Sequence, residues 1–124
     1  MDVSAIDGLI GEYRSCADAH NEPGDGSESW ATRVNHAADR MIVIARRVAE
    51  GGPEAVSRFG SLLETDRPHV ALWAAHHLLD FMTPDLRARE AALGLIERAA
   101  AGEGGLALGE QQWLDNWAAE QQDE

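Results

Sequence analysis

The residues most able to do chemistry lie close together, in the segment that contains His69, His76, His77 and Asp80. Imidazole and carboxylate groups bind zinc and carry protons, so a metal or acid–base site is the first possibility. On a helix, however, His76 and His77 are separated by about 100° around the axis and do not converge on one small ion. Zinc sites normally need three or four convergent ligands. The spacing therefore favours a packed His77 and a surface pair of His76 with Asp80, one helical turn away.

The same three side chains, His76, His77 and Asp80, are the weak metal-site candidates of an alternative in which the chain binds a metal or is an enzyme. The other arrangement with nucleophilic potential is Cys16 with His20, one helical turn apart. No third group orients this pair, which predicts a buried and inert thiol. We therefore expect no catalytic residues, no cofactor and no bound metal.

Tryptophan and acidic residues are better candidates for binding another protein. Four Trp occur in a chain with two Phe and one Tyr, and Trp is enriched among the residues that dominate interfaces. Trp30 follows a glycine-rich loop and Trp117 lies near the end of the sequence, so we expect both to be partly exposed. The predicted partner-binding residues are these two tryptophans with two carboxylates of the last helical segment: Trp30, Trp117, Glu110 and Asp115.

The charge balance narrows the classes of partner. There are 22 Asp and Glu against 10 basic residues, all of them Arg, which gives a net charge of −12. Binding to nucleic-acid phosphates depends on clustered Lys and Arg, so we expect no nucleic-acid partner. The same charge repels anionic membrane surfaces. It attracts a basic protein, although a general role in solubility also explains it.

Length and cysteine content indicate one domain in a reducing compartment. The 124 residues match the usual size of a single domain, and we assign residues 1–124 to one. Cys16 is the only cysteine, so no disulfide forms within the chain. No basic region followed by an apolar run opens the sequence, and no segment is apolar enough to span a membrane. We expect a cytoplasmic protein.

Helical periodicity dominates, and no segment alternates in the manner of a strand. The second helix carries apolar residues around most of its circumference and is expected to be the most buried. Ser27 or Ser29, Thr65 or Asp66, and Thr83 followed by Pro84 are the expected starting signals of the second, fourth and fifth helices. The predicted fold is all-α, with three αα-hairpins built from helices at about 3–21, 29–50, 54–64, 67–81, 84–101 and 107–120.

The first of two hairpins in the second half of the chain resembles the HEAT repeat family. The matching residues are Leu62-Leu63, Pro68-x-Val70 and Ala74-Ala75-x-x-Leu78. The whole chain also resembles small bacterial HEAT-like domains of unknown function, through Asn35-x-x-x-Asp39, Val70-x-x-Trp73-Ala74-Ala75 and a Trp-rich last helix. This resemblance implies a short right-handed superhelix or compact bundle of helix pairs. HEAT repeats commonly carry Asp and Arg where this chain has Thr65 and Ala71, which argues against a long solenoid.

Together these features predict a non-enzymatic protein–protein interaction domain. An immunity-type protein that neutralises a basic toxin is one concrete form of this function, because an acidic surface complements the nucleic-acid site of a nuclease. One alternative is the metal-binding or enzymatic protein described above. Another is a structural subunit that forms a homodimer through an exposed Trp face; the sequence leaves monomer and homodimer open.

Overall fold

The computed structural model describes residues 2–122, and the described part of the chain is all-α, as the periodicity predicts. Consecutive helices pack against each other, α1 on α2, α3 on α4 and α5 on α6, while α4 also packs on α5. Most bounds lie within two residues of the predicted ones. The helices are α1 (Val3–His20), α2 (Glu28–Glu50), α3 (Pro53–Gly60), α4 (Pro68–Phe81), α5 (Leu86–Ala100) and α6 (Gly105–Gln122), with a 3-10 turn at Ser61–Glu64 between α3 and α4.

Side-chain caps fix the start of three helices. Asp2, Ser27 and Asp85 accept hydrogen bonds from the backbone N–H three residues later, at 2.7, 3.1 and 2.8 Å. Each bond satisfies one of the N–H groups that a helix start leaves free. The prediction that Thr83 and Pro84 start α5 is wrong, because the Asp85 carboxylate takes the capping role and the helix begins at Leu86.

The region between α3 and α4 also differs from the prediction. The third helix ends at Gly60, and the chain tightens into the 3-10 turn rather than continuing as α-helix to Glu64. Neither Thr65 nor Asp66 caps α4. Arg67 holds the cap position with φ −104° and ψ 100°, and its side chain makes no capping bond. Extended backbone is what Pro68 imposes on the residue before it, because the proline ring disfavours a helical conformation there.

Helix α4 has the central place that the sequence predicts for α2. One side of α4 joins the larger apolar cluster, through Val70, Ala74 and Leu78. The other side, through Ala75, joins a smaller cluster with Ala92 and Ile96 of α5. Helix α2 instead keeps one face in solvent, where Val43 is 45% exposed. Its Asp and Arg residues lie among the apolar ones and limit the buried face to one stripe.

The larger cluster is built by α1 to α4 and the 3-10 turn, and it includes Tyr13, Met41, Ile44, Phe59 and Leu62, all of them buried. The smaller cluster is completed by partly buried side chains of α4, α5 and α6 and by Leu63 of the turn. The α5–α6 pair is therefore held to the rest of the described chain mainly through α4. Within residues 2–122 no helix has the length and apolarity needed to cross a membrane.

Candidate functional site

His77 points into the larger cluster and contacts Tyr13 of α1. Its Nδ1 lies 2.7 Å from the Tyr13 hydroxyl, and the residue is 4% exposed. The ring also packs near Trp73 and Phe81, with centroids 5.5 and 5.4 Å away. His77 therefore joins α1 to α4 within the core, and this position satisfies a polar group that would otherwise be buried without a partner.

Burial determines the protonation of this pair. Desolvation, with a smaller effect of the neighbouring His76, lowers the pKa of His77 to about 4. Desolvation also raises the pKa of Tyr13 far above its ordinary value, so the phenol keeps its proton. We therefore assign the Tyr13 hydroxyl as the donor and Nδ1 of a neutral His77 ring as the acceptor. A neutral, sealed ring of this kind is a structural element of the core.

His76 points the other way and contacts α6. Its Nε2 donates to Glu110 Oε2 across 2.7 Å, and Glu110 is only 7% exposed. The ring of Trp113 packs edge-on against the His76 ring at a centroid distance of 4.7 Å. The predicted partner of His76, Asp80, is displaced by Glu110, because the α4–α6 packing brings this carboxylate to the ring. Glu110, one of the predicted partner-binding residues, is buried and bonded to His76 within the chain.

Asp80 is exposed near the end of α4. Partial desolvation raises the pKa of Asp80, with Glu120 adding to the shift and His76 opposing it. Among the weak metal-site candidates, His77 therefore turns to α1, away from His76 and Asp80, which lie on the side of α6. Within residues 2–122, no group of three or more His, Cys, Asp and Glu side chains is arranged to hold a metal ion.

Cys16 is partly buried beside the larger cluster. Burial raises the pKa of the thiol, and the nearby Glu12 adds to this while Arg40 opposes it. A raised pKa keeps the sulfur as a weakly nucleophilic thiol. His20 does not activate it; its ring packs edge-on against Trp73, with centroids 4.9 Å apart.

A cleft of about 770 Å³ opens where the end of α1, the first three turns of α4, the end of α5 and the start of α6 meet. We call it the histidine cleft. Its wall is mainly apolar, with three histidines among the polar residues. The cleft is lined by His20, Asn21, Pro68, His69, Leu72, Trp73, His76, Leu95, Arg98, Ala99, Leu106 and Glu110. Its volume falls in the range of pockets that hold small molecules.

Two imidazole–carboxylate pairs border the cleft. One is His76 with Glu110, and in the other His69 Nε2 donates to Asp18 Oδ1 across 2.7 Å. Asp18 also pairs with Arg67. A carboxylate on one ring nitrogen fixes the proton there and orients the ring, which is how catalytic and ligand-binding imidazoles are held in place. His69 and His76 are seven residues apart and share one face of α4.

A second concave surface, of about 710 Å³, lies between α3 and α5. Its floor includes Val56, Leu63 and Ala91, and its charged residues are of both signs: Glu64, Asp85, Arg87, Glu90 and Arg98. Positive and negative groups nearly balance there, so this groove has no clear electrostatic preference for one class of partner.

Helix α6 is the least buried of the long helices. Only Ala107 and Glu110 are buried among its 18 residues. Leu106 and Leu108 are 67% and 66% exposed, and Asp115 is exposed as well. The helix contains Glu110, Asp115 and Glu120 and no basic residue.

Trp117, one of the predicted partner-binding residues, is partly buried on this helix. Its ring stacks with Trp113 at a centroid distance of 6.2 Å. The guanidinium carbon of Arg89 in α5 lies 5.1 Å from the Trp117 ring centroid. The face of this indole therefore already accepts a guanidinium, in a cation–π contact.

Trp30 is held by its loop. A Cβ on Gly24 would lie only 2.1 Å from Trp30 Cε2, so the indole rests directly on the glycine backbone. Its Nε1 is buried and has no hydrogen-bond partner within residues 2–122. The ring is partly buried, and its contact with the loop favours a structural part in closing the α1–α2 connection.

The sequence carried signals for some of this geometry. The spacing of His69 and His76, two helical turns, is enough to place both on one face of a helix. Their partners Asp18 and Glu110 lie on other helices, and no local pattern identifies them. No family model matches this chain, and no curated protein and no solved structure is significantly similar to it.

Proposed function

We propose that the chain is a non-enzymatic binding domain that takes a basic protein partner on the outer surface of α6. The observation that carries this proposal is the composition and exposure of that helix. It presents exposed leucines, a partly exposed tryptophan and exposed carboxylates, and it has no basic residue. Exposed apolar side chains beside charges of one sign are typical of an interaction surface. We call Leu108, Asp115, Trp117 and Glu120 the α6 surface.

The distribution of charge over the whole chain supports a basic partner. Half of the ten arginines contact groups of the same chain. Arg40, Arg58 and Arg67 pair with carboxylates, while Arg46 and Arg89 lie over aromatic rings. Most Asp and Glu side chains within residues 2–122 are exposed and have no ion-pair partner. The negative charge is therefore turned to solvent, where it steers a positive partner.

Trp117 adds a specific expectation about that partner. Arg89 already lies over the indole, and we propose that an arginine of the partner takes its place there. An arginine-rich partner with nearby apolar residues fits the α6 surface better than a purely apolar one. Neutralisation of a basic toxin is a concrete form of this function, and the HEAT-like arrangement of helix pairs is part of the same proposal. Both rest on the sequence resemblance and on the charge.

A synthetic amphipathic helical peptide, with Arg on one face and Leu on the other, tests the proposed surface. The four tryptophans give four indole N–H signals in a heteronuclear NMR spectrum, and each reports on a different region. We expect titration of the peptide to shift the Trp117 signal and to leave the Trp30 signal in place.

Charge variants provide the matched control. The pair Asp115→Asn with Glu120→Gln removes two charges from the α6 surface, and we expect it to weaken peptide binding about tenfold. The pair Glu22→Gln with Glu50→Gln removes the same charge elsewhere and should change the affinity about twofold or less. Equal loss from both pairs, or a Trp30 shift as large as that of Trp117, would mean that the peptide responds only to net charge.

The size of the protein in solution at two concentrations distinguishes this binding from homodimer formation through the same surface.

A further inference from the structure

We infer that the histidine cleft is a binding site for a small organic cation, a primary ammonium on an apolar stem. This goes beyond the proposed protein-binding function, since it concerns a separate cavity and a small molecule. The inference rests on the free oxygen of a buried carboxylate, on the aromatic and apolar wall around it, and on the lack of an ion pair between this carboxylate and Arg98 within residues 2–122.

Glu110 supplies the polar end of the site. The residue is almost entirely buried, yet only Oε2 has a partner, the Nε2 of His76. Within residues 2–122, Oε1 makes no hydrogen bond, and it is not sealed off, since the one buried side-chain atom without a partner there is Trp30 Nε1. Because Glu110 lines the cleft, this oxygen is open to an occupant. A carboxylate oxygen accepts hydrogen bonds and gives none, so the complementary group is a donor.

The wall of the cleft favours a cation over a neutral donor. Trp73 and the imidazole of His20, packed edge-on against each other, both line the cleft. Aromatic faces attract ammonium groups, and a carboxylate in a largely apolar surrounding gives a charge-assisted hydrogen bond of about twice the ordinary strength. Leu72 and Leu106 give an apolar stem a place to lie. The net charge of −12 favours entry of a cation.

Among the described residues that line the cleft, Arg98 is the one basic side chain other than histidine. Its Nη1 lies 3.6 Å from where a Cβ on Gly94 would be. Gly94 lines the groove between α3 and α5 and not the histidine cleft. The Arg98 side chain thus borders both concave surfaces, and within residues 2–122 it makes no ion pair with Glu110, whose partner is His76.

Three probes of similar shape test the inference: 3-phenylpropylamine, 3-phenylpropanol and 3-phenylpropionate. Trp73 lines the cleft, so its indole N–H signal in NMR is the readout. We expect a saturable shift with the amine, binding about tenfold weaker with the alcohol, and no saturable shift with the acid. Equal affinity for amine and alcohol, a preference for the acid, or no response to the amine would each overturn the inference.

The variant Glu110→Gln separates the local carboxylate from the general field of the protein. Its amide oxygen can still accept the hydrogen bond from His76, so the packing of α6 is preserved. We expect amine binding to weaken about tenfold or more. The control is Glu50→Gln, which removes the same charge from the exposed end of α2, outside the cleft, and should leave the affinity nearly unchanged. Equal effects of the two variants would show that only net charge attracts the amine and would overturn the site. A Trp73 signal that stays unchanged while the peptide still shifts Trp117 would overturn the cleft inference alone.

Discussion

Two adjacent histidines illustrate how one residue step decides between two structural roles. His77 lies 4% exposed against Tyr13, whereas His76 reaches Glu110 on α6. The angle between successive residues of a helix predicts that their rings separate, and the sequence also indicates that His77 is packed. The sequence does not predict the partner of either ring, because Tyr13 and Glu110 lie far from these two histidines along the chain. Helical spacing alone therefore predicts Asp80 as the partner of His76, whereas the packing of α6 near α4 makes Glu110 its partner.

The burial of His77 predicts a specific dependence of stability on pH. Its pKa of about 4 in the folded chain lies below the ordinary 6.5 of an unfolded His. The unfolded chain thus binds one more proton between these values, and the free energy of unfolding falls as pH decreases through that window. The neutral ring gives its full stabilisation above pH 6.5. From about pH 7 to about pH 5, the free energy of unfolding decreases by about 2 kcal/mol through this one group.

Chemical denaturation of the wild type and of His77→Gln at the two pH values measures this effect. The substitution lowers stability at neutral pH, because it disturbs the contact with Tyr13, but its unfolding free energy should fall about 2 kcal/mol less than that of the wild type on acidification. The comparison cancels the titration of the other histidines, which both proteins share. Parallel pH profiles of the two proteins would contradict a neutral buried His77.

At the scale of elements, the glycines of α1 and of the loop that follows it differ in whether there is space for an added Cβ. In α1, a Cβ on Gly8 or Gly11 would meet nothing within 4 Å. We expect Gly8→Ala and Gly11→Ala each to raise the free energy of unfolding by about 0.5–1 kcal/mol, because Ala favours the helix over the unfolded chain. Gly24→Ala is the contrasting variant: its Cβ would overlap the Trp30 ring and should lower stability. Thermal unfolding of the three variants checks the expectation, and a stable Gly24→Ala would show that Trp30 does not rest on this loop.

The helix boundaries show what periodicity determines and what it leaves open. Apolar spacing predicts the six α-helices found within residues 2–122, since a buried stripe at helical spacing persists over several turns. The helix ends are less well determined by the sequence, because two neighbouring residues can each act as the cap. Asp85 rather than Thr83 caps α5, and the backbone at 61–64 tightens into a 3-10 turn. The central position of α4 also depends on which helices gather around it, and this is a property of the assembled chain that no single segment encodes.

For the whole molecule, the positions of the charged side chains say more about a partner than the net charge does. Half of the ten arginines contact the chain's own carboxylates or aromatic rings, while most carboxylates within residues 2–122 face solvent without an ion-pair partner. Composition alone predicts an acidic protein, but it does not reveal that α6 is both free of basic residues and the most exposed long helix. The histidine cleft is equally a product of assembly, since four helices contribute to its wall.

The rate of association with the Arg–Leu peptide, measured at low and high salt, tests the central claim most directly. Exposed charges separated by more than about 10 Å are screened at about 0.1 M salt, so an electrostatically steered rate falls steeply as salt increases. We expect the wild-type rate to fall at least about tenfold, and the Asp115→Asn, Glu120→Gln pair to show a much shallower dependence than the Glu22→Gln, Glu50→Gln pair. An association rate that is unchanged between low and high salt, or the same salt dependence in both variants, would contradict binding of a basic partner at the α6 surface.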